Sequence, residues 1–124
     1  VHRNDKLSER LIAFAVRIIA LANALPRAAA GRHIARQLLR AGTSPGANYE
    51  EARGAESKRD FVHKLGIVHK ELKESRYWIR LAAAARLVKP ASRLDGLLDE
   101  VDQLVAIFGK SLNTARKDLS DHAS

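Results

Sequence analysis

The sequence contains no cysteine, which rules out a disulfide framework and any thiolate metal site and leads to the expectation of a reducing, cytoplasmic setting. Aromatic residues make up only 5% of the 124 positions against 46% apolar residues. The core must therefore be built from Leu, Ile, Val and Ala, a composition that favours close-packed helices over a sheet. No stretch approaches the ~20 uninterrupted apolar residues of a membrane span, so no membrane association is expected. The beginning of the chain superficially resembles a leader, with His2, Arg3, Lys6 and Arg10 preceding an apolar run that ends at Ala22-Asn23-Ala24. Asp5, Glu9 and Arg17 interrupt that pattern and the run has helical periodicity, so it reads as part of the fold.

Signatures of catalysis and metal binding are also missing. A di-iron carboxylate bundle needs E-x-x-H pairs on two helices, and the sequence has none. His63 and His69 are six positions apart and fall on different helix faces. Glu50, Glu51, Glu71 and Glu74 would be the candidates for a paired acid and base, but no nucleophile or glycine-rich phosphate loop accompanies them. No metal, cofactor or enzymatic activity is expected. Helix-turn-helix, zinc-finger and RNP patterns are absent too, so sequence-specific readout of a nucleic acid is not indicated.

What is present is a succession of amphipathic helices in a chain of one-domain length, residues 1–124. The first helix is predicted over Asp5 to Leu25, stopping at Pro26. Leu7, Leu11, Phe14, Ile18, Leu21 and Leu25 form its core seam. A second stripe, Ile12, Val16 and Ile19, lies on the opposite side. A helix covering a monomeric core has no need of it, so this face is expected to form an oligomer interface. The second helix starts near Ala29 or Ala30, carries Arg32, Arg36 and Arg40 on one face, and has Ile34, Leu38 and Leu39 as its apolar side.

Ala41 to Ala47 are small residues or breakers, and Pro45 removes a backbone donor and crowds the carbonyl four residues earlier. Two readings follow: a loop here, making five helices, or one helix kinked at Pro45 whose small residues admit a close neighbour. After a turn at Gly54 to Glu56, Ser57 caps a long third helix, with Asp60 three residues on, expected to run to Val88 just before Pro90. Its core seam is Phe61, Leu65, Val68, Leu72, Ser75, Ile79 and Ala82. A second ridge, Ile67, Trp78 and Leu81, is a further candidate interface. Its far face carries Arg59, His63, Lys70, Lys73, Tyr77 and Arg80. The fourth helix is expected over Ser92 to Lys117, with Ser92 as its cap, Leu94, Leu97, Leu98, Val101, Leu104, Val105, Phe108 and Leu112 inside, and a frayed DHAS tail. Four helices with short connections give an all-α, up-down bundle.

The net charge of +8 is concentrated. Residues 27–93 carry fifteen basic and six acidic side chains, a balance of +9, whereas residues 94–124 carry three and six, −3. Arg32, Arg36, Arg40, Lys70, Lys73 and Arg80 are candidates for phosphate contacts, and Tyr77 among them can stack on a base. Asn48, with Glu50 or Glu51, is expected in a polar network near the kink, with Arg40 or Lys70 as partner.

The segment QLLRAGTSPGANYEEARGAESKRDFVHKLGIVHKELKESRYWIRLA resembles the four-helix-bundle family of 23S rRNA intervening-sequence proteins. Gln37, Leu38, Arg40, Ala41, Ser44, Ala47, Asn48, Glu51 and Ala52 match the first part of the family motif. Asp60, Phe61, Leu65, Ile67, Glu71, Glu74, Tyr77 and Trp78 match the second. Two departures stand out: Pro45, where Ile or Val is common, and His69, near a position where a small or aliphatic residue is usual. The resemblance implies a single continuous second helix and a homopentameric ring, as in the related accessory protein of diversity-generating retroelements. It also implies RNA or the ribosome as partner, and it makes Asn48, Glu51, Glu71 and Trp78 structural motif residues. It leaves Arg40 as an alternative partner of Glu51 or Glu71. The rival expectation is an adaptor ring that binds a protein partner through the same basic surface.

Overall fold

The computed structural model describes residues 5–123, and side chains from 5 to 121, so His2 and Arg3 lie outside the described residues. It contains four α-helices, α1 (Lys6–Ala24), α2 (Ala29–Arg53), α3 (Lys58–Ala84) and α4 (Asp95–Ala123), with a 3-10 turn at Ala91–Leu94 before the last. Sequential helices pack side by side, α1 on α2, α2 on α3 and α3 on α4, and α4 closes more loosely on α1. This is the up-down arrangement that short connections enforce.

The core seams are those the periodicity predicts. Leu11, Phe14, Ile18 and Leu21 of α1 meet Leu65, Val68, Leu72 and Ile79 of α3 and Val101, Leu104, Phe108 and Leu112 of α4 in one buried cluster. Leu39 is the exception. It lies at the edge of the apolar arc of α2 and is turned outward, leaving Ile34 and Leu38 as the inward residues.

Asp5 starts α1 by accepting the amides of Leu7 and Ser8 at 2.8 and 3.2 Å. Its other carboxylate oxygen accepts the Tyr49 hydroxyl at 2.7 Å and pairs with Arg53 at 3.3 Å, tying the start of α1 to the end of α2.

Pro45 does not open a loop; α2 is one helix of 25 residues that runs through it. Around the missing donor, the hydroxyls of Thr43 and Ser44 turn back onto the Leu39 and Arg40 carbonyls. The small residues serve close packing: a Cβ on Gly42 would lie 2.6 Å from Cγ1 of Ile18, so α1 can approach only because this position is glycine.

Ser57 caps α3, accepting the Asp60 amide at 3.0 Å. The helix ends at Ala84, four residues before the predicted end at Val88. Arg86 adopts φ 57°, its amide bonds to the Ala83 carbonyl, and the Leu87 amide bonds to that of Ala82. This pair of bonds is a Schellman stop. The usual sequence sign for it, glycine at the left-handed position, is replaced by arginine. Ser92 is not the cap of α4; it lies inside the 3-10 turn, and α4 starts at Asp95. At the other end, α4 continues past Lys117 to Ala123, so most of the expected frayed tail is helix.

Candidate nucleic-acid-binding face

The side chains of α2 and α3 that face each other form a polar seam. Asn48 donates from Nδ2 to Glu71 at 2.9 Å. One turn further along α3, Arg40 forks onto Glu74 and also reaches Gln37 at 2.8 Å. The Trp78 indole N–H donates to Glu74 at 3.1 Å. Lys64 pairs with Glu51 at 2.7 Å.

A polar network near Pro45 includes Asn48 and Arg40, as expected, but its acids are Glu71 and Glu74 of α3, with Glu51 held by Lys64. Asn48 bonds to Glu71 on the neighbouring helix, not to Glu50 or Glu51. Arg40 bonds to Glu74, not to Glu51 or Glu71, and Lys70 makes no ion pair in it. The reason is geometric. Asn48 and Glu50 are two apart and diverge in direction, Glu51 is taken by Lys64 of α3 at 2.7 Å, and Glu71 and Glu74 of α3 lie across the seam from Asn48 and Arg40.

The two acids of α3 differ in electrostatics. Burial pushes the Glu71 carboxyl above its ordinary range, against the opposing pull of Asn48 and Arg40. Hydrogen bonding from Arg40 holds Glu74 below it despite some burial. Both serve to set the register of α2 on α3.

On the outward side of this seam lie two basic rows. On α2, Arg32 and Arg36 are exposed; on α3, Lys70, Lys73, Tyr77 and Arg80 recur at steps of three and four along one exposed stripe. Among the described residues none of these five cations makes an ion pair, in contrast to Arg40. Tyr77 is 56% exposed and its ring stands edge-on to Trp78, with centroids 5.0 Å apart. That contact leaves one flank of Tyr77 to solvent. All seven predicted contact residues are exposed, and one of them, Arg40, is also engaged by Glu74 in the seam.

The candidate interface residues separate into two groups. Ile12, Val16 and Ile19 are 61, 60 and 43% exposed, an apolar stripe on the outer face of α1. Ile67, Trp78 and Leu81 are half-buried, and Trp78 and Leu81 pack against the protomer's own core, with Trp78 edge-on to His33 of α2.

The family model for the 23S rRNA-intervening sequence protein matches residues 3–110. The chain belongs to this family. A solved structure, that of a protein of unknown function from the S23 ribosomal protein family of Bacteroides thetaiotaomicron VPI-5482, superposes with a TM-score of 0.77 at 30% identity. The match covers 85% of this chain and 96% of that one. No curated protein matches the sequence. Five of the residues on which the resemblance rests, Arg40, Asn48, Glu71, Glu74 and Trp78, lie in the α2–α3 seam. No helix among the described residues is long and apolar enough to cross a membrane.

Proposed function

We propose that the protein is a non-catalytic RNA-binding bundle that assembles as a homo-oligomeric ring of five and presents the α2–α3 basic face to its ligand. The observation that carries this reading is the set of five exposed cations without carboxylate partners, Arg32, Arg36, Lys70, Lys73 and Arg80, around the exposed ring of Tyr77. Some cations elsewhere on the bundle are matched to acids, Arg10 to Glu100, Arg76 to Asp102 and Lys58 to Asp118; what sets these five apart is their alignment in two exposed rows beside Tyr77. Unmatched cations at helical spacing are suited to a line of phosphates, and Tyr77 supplies a stacking surface indifferent to base identity. The lack of base-reading motifs fits recognition of RNA shape and backbone rather than sequence. Assembly is supported by the Ile12, Val16 and Ile19 stripe, which one protomer leaves uncovered.

The test is fluorescence anisotropy of a labelled, structured rRNA fragment and a matched DNA duplex, with light-scattering mass recorded on the same sample. RNA is expected to bind more tightly than the duplex, and a Lys73→Glu/Arg80→Glu variant to bind much more weakly. Binding no tighter than micromolar near physiological salt and indifferent to those substitutions would end the RNA reading and turn attention to a protein partner. A mass of five protomers for the wild type, reduced by Val16→Glu, is expected for the ring; a monomeric wild type contradicts it.

A further inference from the structure

Lys70 and Lys73 of the α3 basic row also line a cleft of about 430 Å³ between α3 and α4. Its α3 wall carries His69, Lys70 and Lys73, and its α4 wall Asn113 and Arg116. The cleft is open because glycine stands on both sides, Gly66 on α3 and Gly109 on α4. The His69 ring rests on Gly109, where a Cβ would lie 3.1 Å from Nε2 and 3.7 Å from Cδ2 and Cε1. A methyl at position 109 would press on the imidazole and require it to shift. Lys70, Lys73 and Arg116 make no ion pair among the described residues.

We propose that this cleft is a phosphate-binding site in which His69, Lys73 and Arg116 take the oxygens of one phosphate group, with Lys70 and Asn113 at the rim. The inference rests on the RNA reading above and narrows it, assigning one phosphodiester of the bound RNA to a particular pocket. Helical spacing brings the donors together: His69 and Lys73 are one turn apart on α3, Asn113 and Arg116 one turn apart on α4. The imidazole N–H, the ammonium and the guanidinium supply donors from both walls, and an arginine fork suits two phosphate oxygens at once.

The charges around the imidazole give the site a pH response. Those facing it are cationic on both helices: Lys70, Lys73 and Arg76 from α3 and Arg116 from α4, with Asp102 of α4 held 3.5 Å from Arg76. Burial first, and then Lys73, Arg116 and Arg76, push the His69 imidazole below its ordinary range, so it is neutral at pH 7. A bound phosphate reverses that field and favours the imidazolium. Binding then takes up a proton, and affinity rises as pH falls between the free and occupied titration ranges. A phosphodiester does not itself titrate there, so the response reports the protein.

The experiment has two arms. In the first, anisotropy of the labelled rRNA fragment is measured from pH 7.5 to 5.5 at constant ionic strength for the wild type and for His69→Gln, Arg116→Gln, His33→Gln and His63→Gln. The wild type is expected to gain about tenfold in affinity, the factor given by one unit of upward shift on binding. His69→Gln abolishes that gain, Arg116→Gln weakens binding throughout, and the other two histidine variants keep it. In the second, the His69 Cε1–H resonance is titrated in inorganic phosphate and in chloride. A gain confined to protein with His69 intact supports the cleft with an RNA phosphodiester as its ligand. If RNA fails to bind at every pH but phosphate raises the His69 titration midpoint in the wild type and not in Arg116→Gln, the site stands with free phosphate as its ligand and the RNA reading falls. If RNA binds with the same pH response in His69→Gln, or with none in the wild type, the cleft assignment is overturned while the basic face survives. If RNA fails to bind at every pH and phosphate leaves the His69 titration unchanged, both are overturned.

Discussion

Replacing Asp5 by alanine should destabilise the bundle well beyond the loss of one surface acid. Asp5 caps α1 through two amide bonds, a contribution of about 1 kcal/mol. It also receives the hydroxyl of Tyr49, whose side chain is only 9% exposed and packs edge-on against Phe108 at 5.4 Å. Leaving that hydroxyl without its acceptor costs about 1–2 kcal/mol. The exposed flank of the Arg53 pair adds no more than about 0.5 kcal/mol. The sum is a loss of about 2–3 kcal/mol, read as a shift in the urea midpoint by circular dichroism at fixed protein concentration, because association adds to apparent stability. In a Tyr49→Phe background the same substitution should cost only the cap, about 1 kcal/mol. The difference is a coupling that a double-mutant cycle measures directly. Burial raises the Asp5 carboxyl, but Tyr49, the two amides and Arg53 together outweigh it and leave the carboxyl below its ordinary range. Its contribution is therefore fully present above about pH 4, and the gap between wild type and Asp5→Ala closes as pH falls through the folded-state value. A loss under about 0.5 kcal/mol at pH 7, or no coupling to Tyr49, would refute this reading of Asp5 as the joint between α1 and α2.

Three further outcomes are expected. Gly42→Ala gains helix propensity but places a methyl against the stiff Ile18 side chain, and should lower unfolding free energy by about 1–2 kcal/mol net; an Ile18→Ala background should relieve much of that cost. Arg86→Gly relieves a left-handed arginine at the Schellman stop and should raise stability by about 0.5–1 kcal/mol, with an unchanged or lower midpoint counting against the strain. Glu71→Gln keeps an oxygen for Asn48 and removes a charge that burial disfavours. The wild-type carboxyl titrates above its ordinary range, so the folded state holds its proton more tightly and charged Glu71 costs stability at neutral pH. The variant should unfold at a higher urea midpoint at pH 7, with the advantage shrinking towards pH 4.

The four helices and their inward faces were legible because they rest on period alone, and Leu7 to Leu25 or Leu65 to Ala82 can be read without knowing what they touch. Three boundaries were not: the end of α3, the start of α4, and the end of α4, which runs past Lys117 to Ala123. The end of α3 depends on Arg86 taking a conformation that glycine usually takes, and the start of α4 depends on a 3-10 turn that Ser92 enters instead of capping. Of the seam, the residue types were legible but the pairings were not. Which acid meets Asn48 or Arg40 is decided by the register of α2 against α3, and one sequence carries no direct record of that. The continuity of α2 through Pro45 came from the resemblance, because local chemistry allows either a break or a helix there. The exposed basic stripe of α3 was plain from spacing. The His69 cleft was not, because it needs Gly109 and Arg116 from a helix forty residues away.

The most direct test of the basic face is the salt dependence of RNA affinity. For the wild type, the logarithm of the binding constant is expected to fall steeply and linearly with the logarithm of salt concentration. Lys73→Gln and Arg80→Gln should each reduce that slope by about one unit, with their effects adding, as expected when each side chain neutralises one phosphate. A shallow wild-type slope, or a steep one that neither substitution alters, would contradict the assignment of these side chains to the RNA backbone.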